Sequence, residues 1–184
     1  SLEEFLHIAK EDFHEAYRIF TERHFSLILS DQSEKIRSLY AGMSQQPVTY
    51  QHLEEFLIAA GAKEKVTLSL NREEAGFYDV SESVQESLYI HRSGWGHLRA
   101  DIEVNGDFLE AGKHVVTEED FIGSTCEINY VIRQEKLGKG NQYGEIIVKT
   151  PYQKLVYHVL ASRGTESAVN LDLLEKQYLS LIHI

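Results

Sequence analysis

The spacing of apolar residues changes once along this chain, and that change most constrains its fold. Up to about residue 61, apolar residues recur every three or four positions, first at Phe5, Leu6, Ala9, Phe13, Ala16, Tyr17 and Phe20. This spacing indicates one face of an amphipathic helix. From Val66 they alternate with polar residues instead, as in Val66, Leu68 and Leu70, which is the period of a half-buried strand. The sequence therefore predicts a segregated α+β chain, with helices before strands.

The helical segment, residues 1–61, contains signals for about three helices. The first is predicted from Leu2 towards residue 30, with a possible break at Asp12, which can serve as an N-cap. Ser33 and Thr49 are candidate N-caps of two further helices. We expect these helices to stop at Gly42 and Gly61, because glycine readily adopts the left-handed conformation that ends many helices.

The alternating segment, residues 62–162, contains about seven short strands separated by turns. That density of short strands is typical of an immunoglobulin-like β-sandwich. Two turn signals stand out, the Gly-Trp-Gly run at residues 94–96 and Asn105-Gly106. We expect each of them to close a hairpin, because asparagine-glycine is the strongest short hairpin signal. After Gly164 the helical spacing returns, which predicts the start of a helix over residues 163–178.

Charge and cysteine content disfavour several classes of protein. The 18 basic and 29 acidic residues give a net charge of −11, which repels nucleic-acid phosphates and anionic lipids. No apolar run approaches the roughly 20 residues that cross a bilayer as a helix. A single cysteine, Cys126, excludes an internal disulfide and is interpreted as a buried strand residue. The sequence predicts no cofactor and slightly favours the cytoplasm.

Two arrangements of side chains around the Gly-Trp-Gly run could carry chemistry. Ser93 lies between His91 and His97, but the Gly-x-Ser-x-Gly elbow of many serine hydrolases is missing, so we expect turn residues rather than a catalytic site. The same two histidines lack a third metal ligand, so no metal site is predicted.

The aromatic side chains support a different hypothesis. Trp95, with Tyr89 or Tyr143, could stack on a sugar if it is exposed. If Trp95 instead folds back, we expect it to join the core of the sandwich, because aromatic side chains dominate core burial. Carbohydrate binding through Trp95, Tyr89 and Tyr143 is therefore the alternative to a structural role.

Both ends of the chain indicate a fragment. Ser1 lies inside a predicted helix, so we expect the start of the protein to lie upstream. Residues 179–184, Leu-Ser-Leu-Ile-His-Ile, are what CTG-TCT-CTT-ATA-CAC-ATC encodes, which matches the end of a transposon adapter used in library preparation. We therefore interpret these six residues as a sequencing scar, with an ordinary amphipathic helix end as the alternative.

Several short motifs are distributed along the chain: Asp12-Phe-His-Glu-Ala16, Ser38-Leu-Tyr-Ala-Gly42-Met-Ser44, Leu53-Glu-Glu-Phe-Leu57, Ser93-Gly-Trp-Gly96, Gly106-Asp-Phe108, Asp120-Phe-Ile-Gly123 and Gly138-Lys-Gly-Asn141. Together they resemble one family of large proteins of anaerobic gut bacteria that is known only as a domain of unknown function. The resemblance implies tandem immunoglobulin-like domains, joined by a helical connector and followed by helical repeats. It implies no activity and no site residues.

The sequence thus predicts a non-catalytic module with a structural or protein-interaction role. Its expected partners are other domains of the same protein or a separate protein, and neither nucleic acid nor direct membrane insertion is expected. Carbohydrate binding is the second hypothesis, and a hydrolase using Ser93 is the third.

Overall fold

The computed structural model describes residues 1–164, which form two units. A helical unit comprises residues 1–67 together with 93–98, and a β unit comprises residues 68–92 and 99–164. The chain is thus a helical N-terminal region followed by a β-rich, sandwich-like region. The helix predicted after Gly164 and the six residues interpreted as a scar lie outside the described residues.

The helical unit contains five helices rather than about three. They are α1 (Leu2–Glu11), α2 (Phe13–Phe20), α3 (Phe25–Ile28), α4 (Glu34–Met43) and α5 (Tyr50–Ala59). The predicted first helix is divided into α1, α2 and α3. The first division lies at Asp12, which has extended backbone and caps α2 by accepting a hydrogen bond from the Glu15 amide at 3.1 Å. Ser33 and Thr49 cap α4 and α5 as predicted. Helix α4 runs through Gly42, which keeps helical backbone, and ends at Met43.

Aromatic rings fill the core of the helical unit. Phe5, Phe20, Phe25 and Phe56 are at most 2% exposed, and their centroids lie 4.7–6.4 Å apart, mostly edge to face. Such pairs add about 0.5–1.5 kcal/mol each beyond the apolar area they bury. This cluster explains how a small helical unit obtains a core.

The described part of the β unit contains nine strands in two sheets. The strands are β1 (Thr67–Leu70), β2 (Glu74–Val80), β3 (Val84–Ser93), β4 (Arg99–Asn105), β5 (Leu109–Ala111), β6 (Val115–Thr117), β7 (Thr125–Ile132), β8 (Asn141–Lys149) and β9 (Lys154–Arg163). The four-stranded sheet has the order β1-β3-β7-β5, and the five-stranded sheet has the order β2-β9-β8-β4-β6. The pairings β3–β7, β4–β6, β4–β8, β5–β7 and β8–β9 are antiparallel, whereas β2 pairs with β9 in parallel.

Two strands exceed the predicted seven. Strand β5 has only three residues, and β2 contains Gly76, which weakens the alternating pattern. Strand β2 is an edge strand that pairs in parallel with the distant strand β9, so no local hairpin signal in the sequence predicts it.

Both predicted hairpins are wrong. Strand β3 pairs with β7 and strand β4 with β6 and β8, so the Gly-Trp-Gly run joins strands of different sheets. The chain also changes sheets after Asn105-Gly106, because β5 pairs with β7. Among the described strands, β8 and β9 are the one consecutive pair that shares a sheet. The turn signals locate the turns correctly, but they do not determine which strand lies beside which.

Two neutral polar contacts link the sheets inside the β unit. Tyr130 on β7 and Tyr157 on β9 are fully buried, and their hydroxyl oxygens are 2.8 Å apart. The side-chain amide of Gln153, in the turn between β8 and β9, accepts from the Leu68 amide at 2.7 Å and donates to the Leu68 carbonyl at 3.0 Å. Gln153 thereby pairs with β1 as a neighbouring strand would.

Candidate functional site

The Gly-Trp-Gly segment, residues 93–98, belongs to the helical unit although strands β3 and β4 flank it in the sequence. Trp95 is half-buried and packs against the aromatic core of the helices. We expected a folded-back Trp95 to join the sandwich core; it joins the helical core instead. The segment is therefore a part of the helical unit that the chain supplies from between two strands.

A buried ion pair lies under this segment. Glu54 on α5 and Lys63 after it form a salt bridge with side chains only 2% and 1% exposed. The Lys63 ammonium group also donates to the Trp95 carbonyl, and it lies 4.9 Å from the centroid of the indole ring. The second carboxylate oxygen of Glu54 accepts from the His97 amide at 3.2 Å. Each charge thus binds one side of the segment as well as its partner.

Gly96 is required by this arrangement. Its φ of +104° lies in the region that favours glycine. A Cβ atom there would lie 2.5 Å from the Lys63 nitrogen and 2.7 Å from a Glu54 oxygen. The absence of a side chain lets the backbone approach the two charges closely.

The hydrolase candidates in the segment make structural contacts. The Ser93 hydroxyl donates to the Thr67 carbonyl at 3.4 Å. The His97 ring stacks on Tyr50 and Phe13, with centroids 5.5 and 6.2 Å away. His91 is exposed on β3. The structure therefore uses Ser93 and His97 in packing contacts.

The three aromatic residues of the carbohydrate hypothesis belong to different parts of the fold. Trp95 lies in the helical unit. Tyr89 is 40% exposed on β3 of the four-stranded sheet, whereas Tyr143 is 65% exposed on β8 of the five-stranded sheet. Tyr143 lines an open cleft of about 670 Å³ on its own sheet, so it remains a binding candidate without the other two.

Other expectations about chemistry concern metals, membranes and Cys126. Within residues 1–164 no cluster of three or more metal-binding side chains occurs, and no helix there has the length and apolar character to cross a membrane. Cys126 lies buried on β7, and burial raises the pKa of its thiol. A raised pKa keeps the thiol protonated and weakly nucleophilic at neutral pH.

Glu54 and Lys63 were not predicted from the sequence as a buried pair. Glu54 borders the apolar stripe of α5, between Leu53 and Phe56, which is the one signal that it faces inward. Its neighbours Glu55, Glu64 and Lys65 offer equally plausible surface pairings in the sequence. Only the folded position of residues 93–98 selects which two charges become buried.

Comparison with known proteins gives a family but no activity. No curated protein matches this chain. Among solved structures, a FixG-related protein from Vibrio parahaemolyticus shares 10% identity and a TM-score of 0.38, covering 55% of this chain and 99% of that one. The VesB protease of Vibrio cholerae shares 9% identity and a TM-score of 0.32, covering 52% of this chain and 31% of that one.

Similarities this weak assign no function to the chain. A family model, however, matches residues 1–182, nearly the whole chain. The chain belongs to the N-terminal part of the family of unknown function DUF5717.

Proposed function

We propose that this chain is a non-catalytic structural and protein-interaction module of a larger bacterial protein. The observation that carries the proposal is the use of polar groups around the Gly-Trp-Gly segment. Glu54, Lys63 and the His97 amide hold the segment in place, while the Ser93 hydroxyl binds a backbone carbonyl. Side chains engaged in such contacts stabilise the fold in this proposal and do not act as acids, bases or nucleophiles.

The β unit is, in this proposal, an immunoglobulin-like domain. In that fold, strands A, B, E and D form one sheet and G, F and C the other. When β2 and β6 are left out, the other seven strands can be lettered A to G in chain order. The order β1-β3-β7-β5 then reads A-B-E-D, and the run β9-β8-β4 reads G-F-C. Strands β2 and β6 are then additions at the two edges of the second sheet. The disulfide of antibody domains has no counterpart, since Cys126 is the chain's one cysteine.

The partner in this proposal is a protein, either another domain of the same chain or a separate molecule. Ile122 is the most exposed large apolar side chain of residues 1–164, at 89%. It lies in the tight turn before β7, where it forms an isolated bridge with Thr125. An apolar side chain presented by a rigid turn suits a pocket on a partner, because buried apolar anchors supply much of the energy of interfaces.

A cross-linking experiment on the intact parent protein tests this function. We expect lysine-directed cross-links from Lys113, whose ammonium group binds Asp120 two residues before Ile122, to segments beyond residues 1–184 or to a second protein, and fewer of them after Ile122→Ser. The melting temperature of Ile122→Ser should match that of the wild type. An unchanged cross-link pattern in the variant would remove Ile122 as a contact, and cross-links confined to residues 1–184 would overturn the interaction role.

The catalytic alternative needs its own assay. The purified chain is incubated with chromogenic ester, peptide and glycoside substrates, beside Ser93→Ala. We expect no turnover above buffer for either protein. Turnover that disappears in Ser93→Ala would overturn the non-catalytic assignment.

A further inference from the structure

The outer surface of the five-stranded sheet carries a cleft that the proposed function does not use. Its volume is about 670 Å³, within the range of roughly 300–1,000 Å³ that is usual for small-molecule sites. It lies across strands β2, β9 and β8, with Asn105 of β4 at its margin. The whole cleft belongs to the β unit.

Two tyrosines and two small or apolar residues form one row of this cleft. Leu160 on β9 lies between Gly76 of β2 and Tyr143 of β8 in the strand register. Leu160 is only 8% exposed on this outer surface, whereas Tyr143 is 65% exposed. The Tyr78 side chain folds over Gly76, so closely that a Cβ at residue 76 would lie 2.6 Å from the Tyr78 hydroxyl oxygen. The row therefore has an apolar floor beside an accessible aromatic ring.

The next row on the same face of the sheet, two residues along each strand, consists of polar side chains that already contact one another. Glu145, His158 and Glu74 are neighbours in the register of β8, β9 and β2. The Asn105 amide donates to Glu145 at 3.2 Å, and the His158 Nδ1 atom lies 4.0 Å from the other Glu145 oxygen. These contacts fix the carboxylate before any ligand arrives, which lowers the entropic cost of binding.

The mixture of charges argues against an ionic ligand. Glu74 and Glu145 repel an anion, and Arg72, which also lines the cleft, repels a cation. Carboxylates accept hydrogen bonds, guanidinium donates them, and amide and imidazole groups do both. A ligand that matches this set has many groups that both donate and accept, which describes the hydroxyls of a neutral sugar. The faces of sugar rings are also apolar enough to stack on tyrosine.

We infer that this cleft binds a short neutral oligosaccharide, with Tyr143 as the stacking platform and Glu74, Arg72 and Glu145 as hydrogen-bonding groups. The site differs from the one predicted from the sequence, since it uses Tyr143 without Trp95 or Tyr89. It also adds a ligand to a chain whose proposed role is structural.

Calorimetric titration with a panel of neutral hexasaccharides tests the inference: cellohexaose, xylohexaose, mannohexaose, maltohexaose and chitohexaose. We expect saturable binding of at least one, weakened about two- to twelvefold by Tyr143→Ala, because the sugar loses its one stacking ring. Gly76→Ala should also weaken it, because the new Cβ displaces Tyr78. Tyr89→Ala, a matched tyrosine on the other sheet, should leave binding unchanged.

Three outcomes would overturn the inference. They are no saturable binding up to 10 mM of any panel member, binding unaffected by Tyr143→Ala, and saturable binding of a lysine-rich or an acidic peptide with no response to the sugars. Circular dichroism melting of each variant accompanies the titrations. Because Tyr143 is exposed, its variant should keep the wild-type melting temperature, so a loss of binding reports on the cleft and not on folding.

Discussion

The buried polar groups that hold the Gly-Trp-Gly segment in the helical unit and those that link the two sheets of the β unit are of different kinds. The helical unit buries a full ion pair, Glu54 with Lys63, to hold the Gly-Trp-Gly segment. The β unit joins its sheets with neutral groups, the Tyr130–Tyr157 hydroxyls and the Gln153 amide. A buried charge that loses its partner costs far more than a neutral group that loses one. The two units should therefore respond to single substitutions very differently.

The largest effect should follow removal of one charge from the ion pair. Glu54→Gln keeps the shape of the side chain but leaves Lys63 buried without its counter-charge. We expect the free energy of unfolding, measured by urea titration, to fall by about 3–5 kcal/mol. Glu55→Gln, on the exposed neighbour, should change it by less than about 0.5 kcal/mol.

The double variant Glu54→Leu with Lys63→Met sharpens this prediction. Replacing both charges with apolar groups should recover part of the loss, because the desolvation cost of a charge disappears while the Trp95 carbonyl and the His97 amide lose these partners. A double variant as unstable as Glu54→Gln would show that the pair contributes net attraction rather than only mutual compensation.

Gly96→Ala should have the second-largest effect. The left-handed φ and the closeness of the Lys63 nitrogen both oppose a side chain there, with a combined cost of about 1–3 kcal/mol in thermal unfolding. Gly42→Ala is the matched control, because Gly42 lies within α4 with open space around it. That change should stabilise the protein by about 0.5–1 kcal/mol.

Gln153→Ala should test the weaker, neutral link in the β unit. It leaves the amide and carbonyl of Leu68 without these partners, which we expect to cost about 1–3 kcal/mol. Gln142→Ala, which removes one 3.3 Å contact to an exposed carbonyl, should be nearly neutral. A loss for Gln153→Ala that equals the loss for Glu54→Gln would erase the contrast between the two units.

The smallest effect at neutral pH should come from Tyr130→Phe, at about 0.5–1.5 kcal/mol. Its signature is in the pH dependence. Burial, and then the hydrogen bond to Tyr157, raise the pKa of Tyr130 in the folded protein. The contribution of Tyr130 to stability is therefore fully present below its unfolded pKa of about 10 and falls as pH rises above that value, because Tyr130 then ionises in the unfolded chain but not in the folded one. Melting temperatures from pH 8 to 11 should fall less steeply for Tyr130→Phe than for the wild type.

The order of helices and strands could be predicted from the sequence, but which strands pair with each other could not. Asp12, Ser33 and Thr49 work as caps because capping depends on residues within three positions. The pairings of β3 with β7 and of β4 with β8 join residues 34 to 48 positions apart, which no local turn signal encodes. Asn105-Gly106 marked a real turn, but the chain turns there into the other sheet.

The candidate sites were even less predictable. Tyr143 was identified, yet Tyr78 and Glu74 join its cleft only because β2 pairs in parallel with β9. Trp95 was identified as the residue of interest, but the Glu54–Lys63 pair beneath it depends on long-range folding. Charged residues usually lie on the surface, so their burial is the kind of exception that sequence patterns cannot specify.

Trp95, the chain's single tryptophan, offers the most direct measurement of the central claim that the Glu54–Lys63 pair holds the Gly-Trp-Gly segment on the helices. The measurement is acrylamide quenching of its fluorescence in the wild type, Glu55→Gln and Glu54→Gln, at a temperature where far-UV circular dichroism shows all three folded. We predict that Glu54→Gln raises the quenching constant towards the value of the urea-unfolded chain, while Glu55→Gln matches the wild type. Equal quenching in all three folded proteins would contradict the account.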